Sequence, residues 1–329
     1  MSNKSNFNSN IINFYCTCKK RYFSIYKASI VLPCSHMFHS CCINNVKNCP
    51  VCNQKITQIL SEDDIFSNKK YLTYQNDIMS VKIINSGKIN YFILPLRITK
   101  FIVYLNTLIL SKTTTNLING LDFLFKFLCI KINIIDNTSG NVFSVKSNRF
   151  EWNKDIINNP KIIISNHSSY LDIFIMYYIF KCGFVAGEFI TSTEIGKLLA
   201  NVCKLLIFKR GVDTNVVEKI KEYLQEQKQI VIFPEGIMKE NNDTLIKFRT
   251  GAFYTGADIC PVVIKYKNYV YDEDFYTGIL KLLSQDSIDV NVYIENIQHP
   301  PFTDKHIEKI RKKMAKTGNF KLARTSNKI

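Results

Sequence analysis

A chain of 329 residues that is 46% hydrophobic has room for one large packed domain and a small one. Its formal net charge of +16 implies an anionic partner: nucleic acid, an anionic membrane surface, or phosphorylated substrates. No nucleic-acid-binding fingerprint is present, so nucleic acid ranks below the other two. Met1 to Asn10 is polar and rich in Asn and Ser, so no signal peptide is read there, and an intracellular, reducing setting is expected.

Of the 11 cysteines, seven lie between Cys16 and Cys52. In a reducing setting such a cluster points to metal rather than to disulfides. The order is Cys16-x-Cys18, then Cys34-x-His36-x2-His39-x2-Cys42, then Cys49-Pro50-Val51-Cys52. Thiolates and imidazoles in close pairs suit tetrahedral zinc, and eight ligands make two Zn²⁺ sites. The stretch from Leu32 to Cys42 together with Cys49–Cys52 resembles a RING-H2 finger, expected over residues 12–58. The resemblance implies a cross-brace: Cys16, Cys18, His39 and Cys42 on one zinc, Cys34, His36, Cys49 and Cys52 on the other. The first pair is one residue shorter than the family's Cys-x2-Cys. Cys41 is left over, expected as a buried free thiol. The resemblance further implies a groove for a ubiquitin-conjugating enzyme at Thr17, Pro50 and Val51, with Val46 the nearest apolar residue where the family often has Trp. Asn53 is compatible with a ubiquitin contact. A zinc-stabilised interaction module without ligase activity remains the alternative.

Residues 59–88 are mixed and polar, with acidic Glu62-Asp63-Asp64, and are expected as a linker with some local structure. Residues 89–130 hold two apolar segments: Tyr91–Arg97 with Phe101–Leu110, and Leu117–Ile130. A spanning helix needs roughly 20 apolar residues. Arg97, Lys100, Asp122 and Lys126 interrupt both, so an interfacial helical hairpin with its basic residues at the headgroups is expected. A pair of core helices, or one span over residues 91–110, are the alternatives.

Residues 131–300 alternate strand and helix patterns, which predicts an α/β domain with a mostly parallel sheet. Strands are expected at Ile130–Ile135, Asn141–Val145, Ile162–Ile164, Gly183–Glu188, Leu205–Phe208, Ile230–Phe233, Pro261–Lys265 and Val290–Ile294. Helices are expected at Tyr170–Phe180, Glu194–Leu199 and Asp213–Lys228, with another from Gly251. The strand Ile162–Ile164 ends in Asn166-His167, and Ser169 is read as the N-cap of the next helix with Asp172 at N3. Within one helix, residues five apart point about 140° away from each other. With His167 before the cap and Asp172 in the first turn, the two can converge. An Asp on one imidazole nitrogen fixes the tautomer and leaves the other nitrogen a base. With no Ser or Cys nucleophile in evidence, that base would act directly on a substrate hydroxyl.

Downstream come Leu206-Ile-Phe-Lys-Arg210, Ile232-Phe-Pro-Glu-Gly236, Phe248-Arg-Thr-Gly-Ala-Phe253 and Pro261-Val-Val-Ile264. In this order and spacing, over roughly residues 120–300, these blocks resemble the glycerolipid (lysophospholipid) acyltransferase family of the 1-acylglycerol-3-phosphate acyltransferase type. The resemblance implies His167 as general base and Asp172 as its partner. Arg210, Glu235, Gly236 and Arg249 would line the site for a phosphate-bearing acceptor, and Pro261 would help shape the acyl-donor side. Arg210 suits a phosphate by its planar, permanently charged fork. Glu235 could bind a glycerol hydroxyl or orient Arg210 or Arg249. Residues 301–329 form a basic tail, partly helical, either solvated or touching anionic lipid. The function implied is a membrane-associated transfer of an acyl group from acyl-CoA to a lysophospholipid, at the cytosolic face of a membrane. The alternative is a RING-type ubiquitin ligase or zinc scaffold anchored by a lipid-binding domain.

Overall fold

The computed structural model describes residues 12–13, 16–18, 27–82, 91–99, 102, 114–144, 161–192, 194–209, 215–227, 229–239, 241–267 and 275–326. Arg210 lies outside the described residues, as do Phe101 and most of the first apolar segment beyond residue 99.

After β1 (Ile12–Asn13), the small domain folds β2 (Ala28–Leu32) against β3 (His36–His39) and β4 (Gln58–Ser61) as an antiparallel sheet, with α1 (Ser40–Ile43) following β3. Its core is Ala28, Ile30, Val31, Phe38, Ile43 and Leu60. Cys41 is exposed rather than buried, because α1 turns it away from this core.

Residues 59–88 are not a linker over the part described. Ser61 and Asp64 form a reciprocal capping box that starts α2 (Glu62–Ser67), and α3 (Leu72–Ser80) follows. Ile65, Ile78 and Val81 are fully buried in the cluster that holds the small domain's core, and Ile237, Ile246 and Ala323 of the large domain complete it. One apolar core therefore crosses from the small domain to the large one. Asp77 on α3, fully buried, accepts from the backbone N–H, Nε and Nη2 of Arg324. The Arg324 guanidinium lies 4.6 Å over the Tyr74 ring, and the Tyr74 hydroxyl meets Ser35 between Cys34 and His36 at 3.1 Å.

The large domain runs α4 (Thr114–Phe127), β5 (Ile130–Asp136), β6 (Asn141–Ser144), β7 (Ile162–Ser165), α5 (Leu171–Phe180), β8 (Gly183–Gly187), α6 (Glu194–Val202), β9 (Leu206–Phe208), α7 (Val216–Glu226), β10 (Ile230–Ile232), β11 (Thr244–Leu245), β12 (Ile259–Tyr266), α8 (Phe275–Leu283), β13 (Ile288–Ile294), α9 (Asp304–Thr317), β14 (Lys321–Leu322) and β15 (Thr325–Ser326). The 8-stranded sheet has the order β6-β5-β13-β12-β7-β10-β8-β9. Pairing is parallel except at β12–β13 and β5–β6. The mostly parallel α/β architecture expected from the sequence is therefore present.

β7 sits at the centre because it is Ile-Ile-Ile-Ser, β-branched and fully buried on both faces. Ile163 points into the layer formed by α4, α5 and α8; Ile162 and Ile164 point into the opposite layer with α7 and α9. Pro261 tolerates a central strand because it falls just before the antiparallel ladder with β13 begins at Val262.

Three further expectations change. The second apolar segment is a core helix, since Leu121, Leu124, Phe125 and Leu128 are buried in the large-domain core. In the first segment, Arg97 does not face outward as a headgroup ligand. It donates to the carbonyls of Leu283, Gln285 and Asp286 at the end of α8, where orphan carbonyls collect. The basic C-terminal stretch is likewise folded: α9 buries Ile307, Ile310, Arg311 and Met314, while β14 pairs with β11 and β15 with β1. Among the described residues, no helix is long and apolar enough to cross a membrane.

Candidate active site

β7, β10 and β12 are mutually parallel neighbours, so their carboxyl ends open on one edge of the sheet. Open α/β sheets place their ligands at that edge. His167 follows β7, Phe233-Pro234-Glu235-Gly236 follows β10, and Tyr266 ends β12.

His167 Nδ1 is 2.9 Å from Asp172 Oδ2. The helix starts at Leu171, one residue later than expected, and Tyr170 rather than Ser169 precedes it. Ser169 still caps: its hydroxyl accepts from the N–H of Leu171, and Asp172 Oδ2 accepts from the N–H groups of Ser168 and Ser169 at 2.7 and 2.9 Å. The Asp therefore both holds the imidazole and closes the turn that presents it. Asp172 is fully buried, whereas the His167 side chain keeps 15% exposure. The imidazole stacks on Phe233 at 4.2 Å with a 16° tilt, and Phe233 stacks in turn on Phe184. Aromatic packing on one ring face and a carboxylate on Nδ1 leave Nε2 as the nitrogen available for chemistry.

The sequence leaves Glu235 either to bind a glycerol hydroxyl or to orient Arg210 or Arg249; the structure pairs it with a lysine. It is fully buried, and both its oxygens lie 2.6 Å from Lys239 Nζ. Oε1 also accepts from the N–H of His167 and Oε2 from the N–H of Ile246, each at 3.0 Å. The N–H of Lys239 donates to the His167 carbonyl at 2.9 Å. Glu235 and Lys239 thus hold the backbone on both sides of His167. Burial pushes the Lys239 ammonium down, and the Glu235 carboxylate pulls it back up.

Gly236 sits at φ +69°, and a Cβ there would lie 2.6 Å from Arg249 Nε. The Arg249 side chain lies across the glycine, and the Arg249 backbone N–H donates to the Pro234 carbonyl at 2.7 Å. Two blocks far apart in sequence thus meet beside the histidine. Pro261 is buried in β12 opposite Ile164, beneath the site.

Sequence reasoning missed Tyr266, whose hydroxyl donates to Asp172 Oδ1 at 2.5 Å. It also missed Lys239, and Asn166, whose side chain donates to the Ile264 carbonyl and accepts from the Ile264 N–H. That pair of hydrogen bonds carries the β7–β12 pairing past Ser165.

Residues 145–265 match the model of the Acyltransferase family. The matched residues fall within the large domain, which is α/β with a mainly parallel sheet. A lysophospholipid acyltransferase of Arabidopsis thaliana is 31% identical over 189 residues, 50% of this chain and 46% of its own length. Glycerol-3-phosphate acyltransferase 3 of Mus musculus is 29% identical over 206 residues, 59% of this chain and 45% of its own. The chain thus spans about half the length of these relatives. Among solved structures, the 1-acyl-sn-glycerophosphate acyltransferase of Thermotoga maritima covers 70% of this chain and 91% of its own at 15% identity, with a TM-score of 0.48.

In the small domain, Cys16, Cys18, His39 and Cys42 gather their ligand atoms within 4.8 Å of one another, as do Cys34, His36, Cys49 and Cys52. The sets are those implied by a cross-brace, and the short Cys16-x-Cys18 pair reaches its cluster. His39 Nδ1 is 3.3 Å from Cys18 Sγ and 3.8 Å from Cys42 Sγ, and His36 Nδ1 is 3.4 Å from Cys49 Sγ. Tetrahedral zinc with its usual bond lengths sets nitrogen and sulfur about 3.6 Å apart, so both clusters could hold a metal. Thr17, Pro50 and Val51 are exposed beside them.

Proposed function

We propose that the chain is an acyltransferase that moves a fatty acyl group from acyl-CoA to the hydroxyl of a lysophospholipid such as 1-acyl-glycerol-3-phosphate. The observation that carries this is the His167–Asp172 pair, buried on the Asp side and open on the His side, at the carboxyl ends of three parallel strands. His167 Nε2 takes the acceptor hydroxyl proton as that oxygen attacks the thioester carbonyl. The C–O bond forms, the C–S bond breaks, and the proton passes to the departing thiolate. The likeness to enzymes named for lysophospholipids and glycerol-3-phosphate supports a phosphate-bearing glycerolipid acceptor. Arg249 over Gly236 supplies a guanidinium for that phosphate, and Arg210 a second; Pro261 floors the site on the acyl side.

We further propose that each Cys/His cluster holds one structural Zn²⁺, bound by thiolates and neutral imidazoles. Exposed Thr17, Pro50 and Val51 would be the contact for a ubiquitin-conjugating enzyme if the module has ligase activity. Membrane contact is assigned to residues 91–102. Leu94 and Ile98 of this segment pack on the core, while Phe92 is 97% exposed and Tyr91, Leu96 and Ile102 are exposed as well. Such a row suits the headgroup–acyl boundary of an anionic membrane at the cytosolic face.

The test compares wild type with His167→Ala, using acyl-CoA and lysophosphatidic acid. Loss of the base should slow transfer by about 10²–10⁴-fold. Equal turnover by both proteins would remove His167 from the chemistry.

A further inference from the structure

We propose that Tyr266 is a positioning residue for His167, acting through Asp172; the inference rests on the general-base reading of His167. Asp172 divides its two oxygens. Oδ2 takes the His167 imidazole and two backbone N–H groups, while Oδ1 takes the Tyr266 hydroxyl at 2.5 Å. That distance is at the short, charge-assisted end of O–H···O⁻ hydrogen bonds. Both Asp172 and Tyr266 are buried, so water does not compete for the contact.

Position and register make this contact dependable. Tyr266 is the last residue of β12, which pairs with β7 from Ile162 to Ser165. Asn166, next to His167, clamps both backbone groups of Ile264, two residues before Tyr266. The phenol is therefore held relative to the histidine by strand pairing, not by a loop.

The phenol fixes the rotation of the carboxylate, which keeps Oδ2 in line with Nδ1. Among the described residues, the charged groups around His167 include Glu235, Lys239, Lys265 and Arg249. Glu235 and Lys239 are paired with each other, and Lys265 is bound to Asp243 and the Asn242 carbonyl.

The experiment follows the His167 ring nitrogens by NMR of isotope-labelled full-length protein at one pH, with His167→Gln assigning the resonance. Tyr266→Phe removes only the hydroxyl. It should move the His167 Nδ1 resonance, because the carboxylate that holds that nitrogen is freed to rotate. It should also lower kcat by up to about 10²-fold, the cost of misplacing a reacting group by about 1 Å. KM for the acceptor should stay unchanged. Replacing residue 266 with 3-fluorotyrosine keeps the phenol, so the resonance and kcat should stay near wild type. Tyr293→Phe, in the neighbouring strand, should leave both unmoved. An Nδ1 resonance in Tyr266→Phe identical to wild type would overturn the proposal. Should wild type transfer no acyl group to any acceptor, the functional reading fails, but the ring spectrum still decides the role of Tyr266.

Discussion

Removal of the Arg324 guanidinium tests whether the two domains are one folded unit. In Arg324→Ala, fully buried Asp77 keeps only the backbone N–H of residue 324 from its three Arg324 donors. Breaking a buried ion pair from one side typically costs 3–5 kcal/mol, because a desolvated charge is stranded. The retained N–H argues for the lower end, and losing the guanidinium from the Tyr74 ring adds about 0.5–1 kcal/mol. A loss of about 3–4 kcal/mol is expected in urea denaturation followed by circular dichroism. Asp77→Asn should cost less, about 1–2 kcal/mol, since the freed Arg324 side chain, 24% exposed, can turn to water. Burial already holds the Asp77 carboxyl above its usual range against the pull of Arg324. The folded state thus binds this proton more tightly than the unfolded chain, and this group's contribution to stability falls as pH rises through that window. Without the guanidinium the folded value climbs further, so the Arg324→Ala deficit should be widest near pH 7 and narrow toward about pH 4. If Asp77→Asn cost as much as Arg324→Ala, or the deficit ignored pH, the stranded-carboxylate reasoning would be refuted.

Three other outcomes can be checked directly. Gly236→Ala forces a Cβ into Arg249 at φ +69°, a conformation costing about 1–2 kcal/mol for a non-glycine residue; acyl transfer should drop by roughly 10²-fold, with KM for the phosphate-bearing acceptor rising as Arg249 is displaced. Zinc removal by a chelator should lower the melting temperature of the whole chain rather than of residues 12–58 alone, because the small domain's core includes Ile237, Ile246 and Ala323. Under native conditions Cys260, whose thiol burial pushes up to about 12, should resist alkylation while exposed Cys41 reacts.

The sheet was readable because its strands are apolar, β-branched runs or strict alternations, as in Ile288–Ile294. The His167–Asp172 pair was readable because a cap residue and an N3 acid fix where a side chain just outside the helix must lie. Tyr266 was not: an aromatic at a strand end has the pattern of any core residue, and its partner is 94 residues away. Lys239 was passed over because a lysine is almost never fully buried unless paired, and its pairing with Glu235 is a tertiary fact. Residues 59–88 read as a linker with some local structure because their composition is mixed and polar, although Ser61 and Asp64 stand at capping-box spacing. The tail read as partly helical, but its lysines hid the packing of α9: Ile307, Ile310 and Met314 recur at helical spacing within a lysine-rich stretch.

The shared core has a consequence for how the chain comes to be folded during synthesis. The small domain and α3 are made early, but their seat is made late: Arg324 follows Asp77 by 247 residues. Until that segment leaves the ribosome, Ile65, Ile78 and Val81 have no complete partner surface. Loop closure over such a separation is slow and leaves apolar side chains exposed in the interim. Truncations that remove residues 320–326 should therefore yield aggregating protein even though every residue of the His167 site is still encoded.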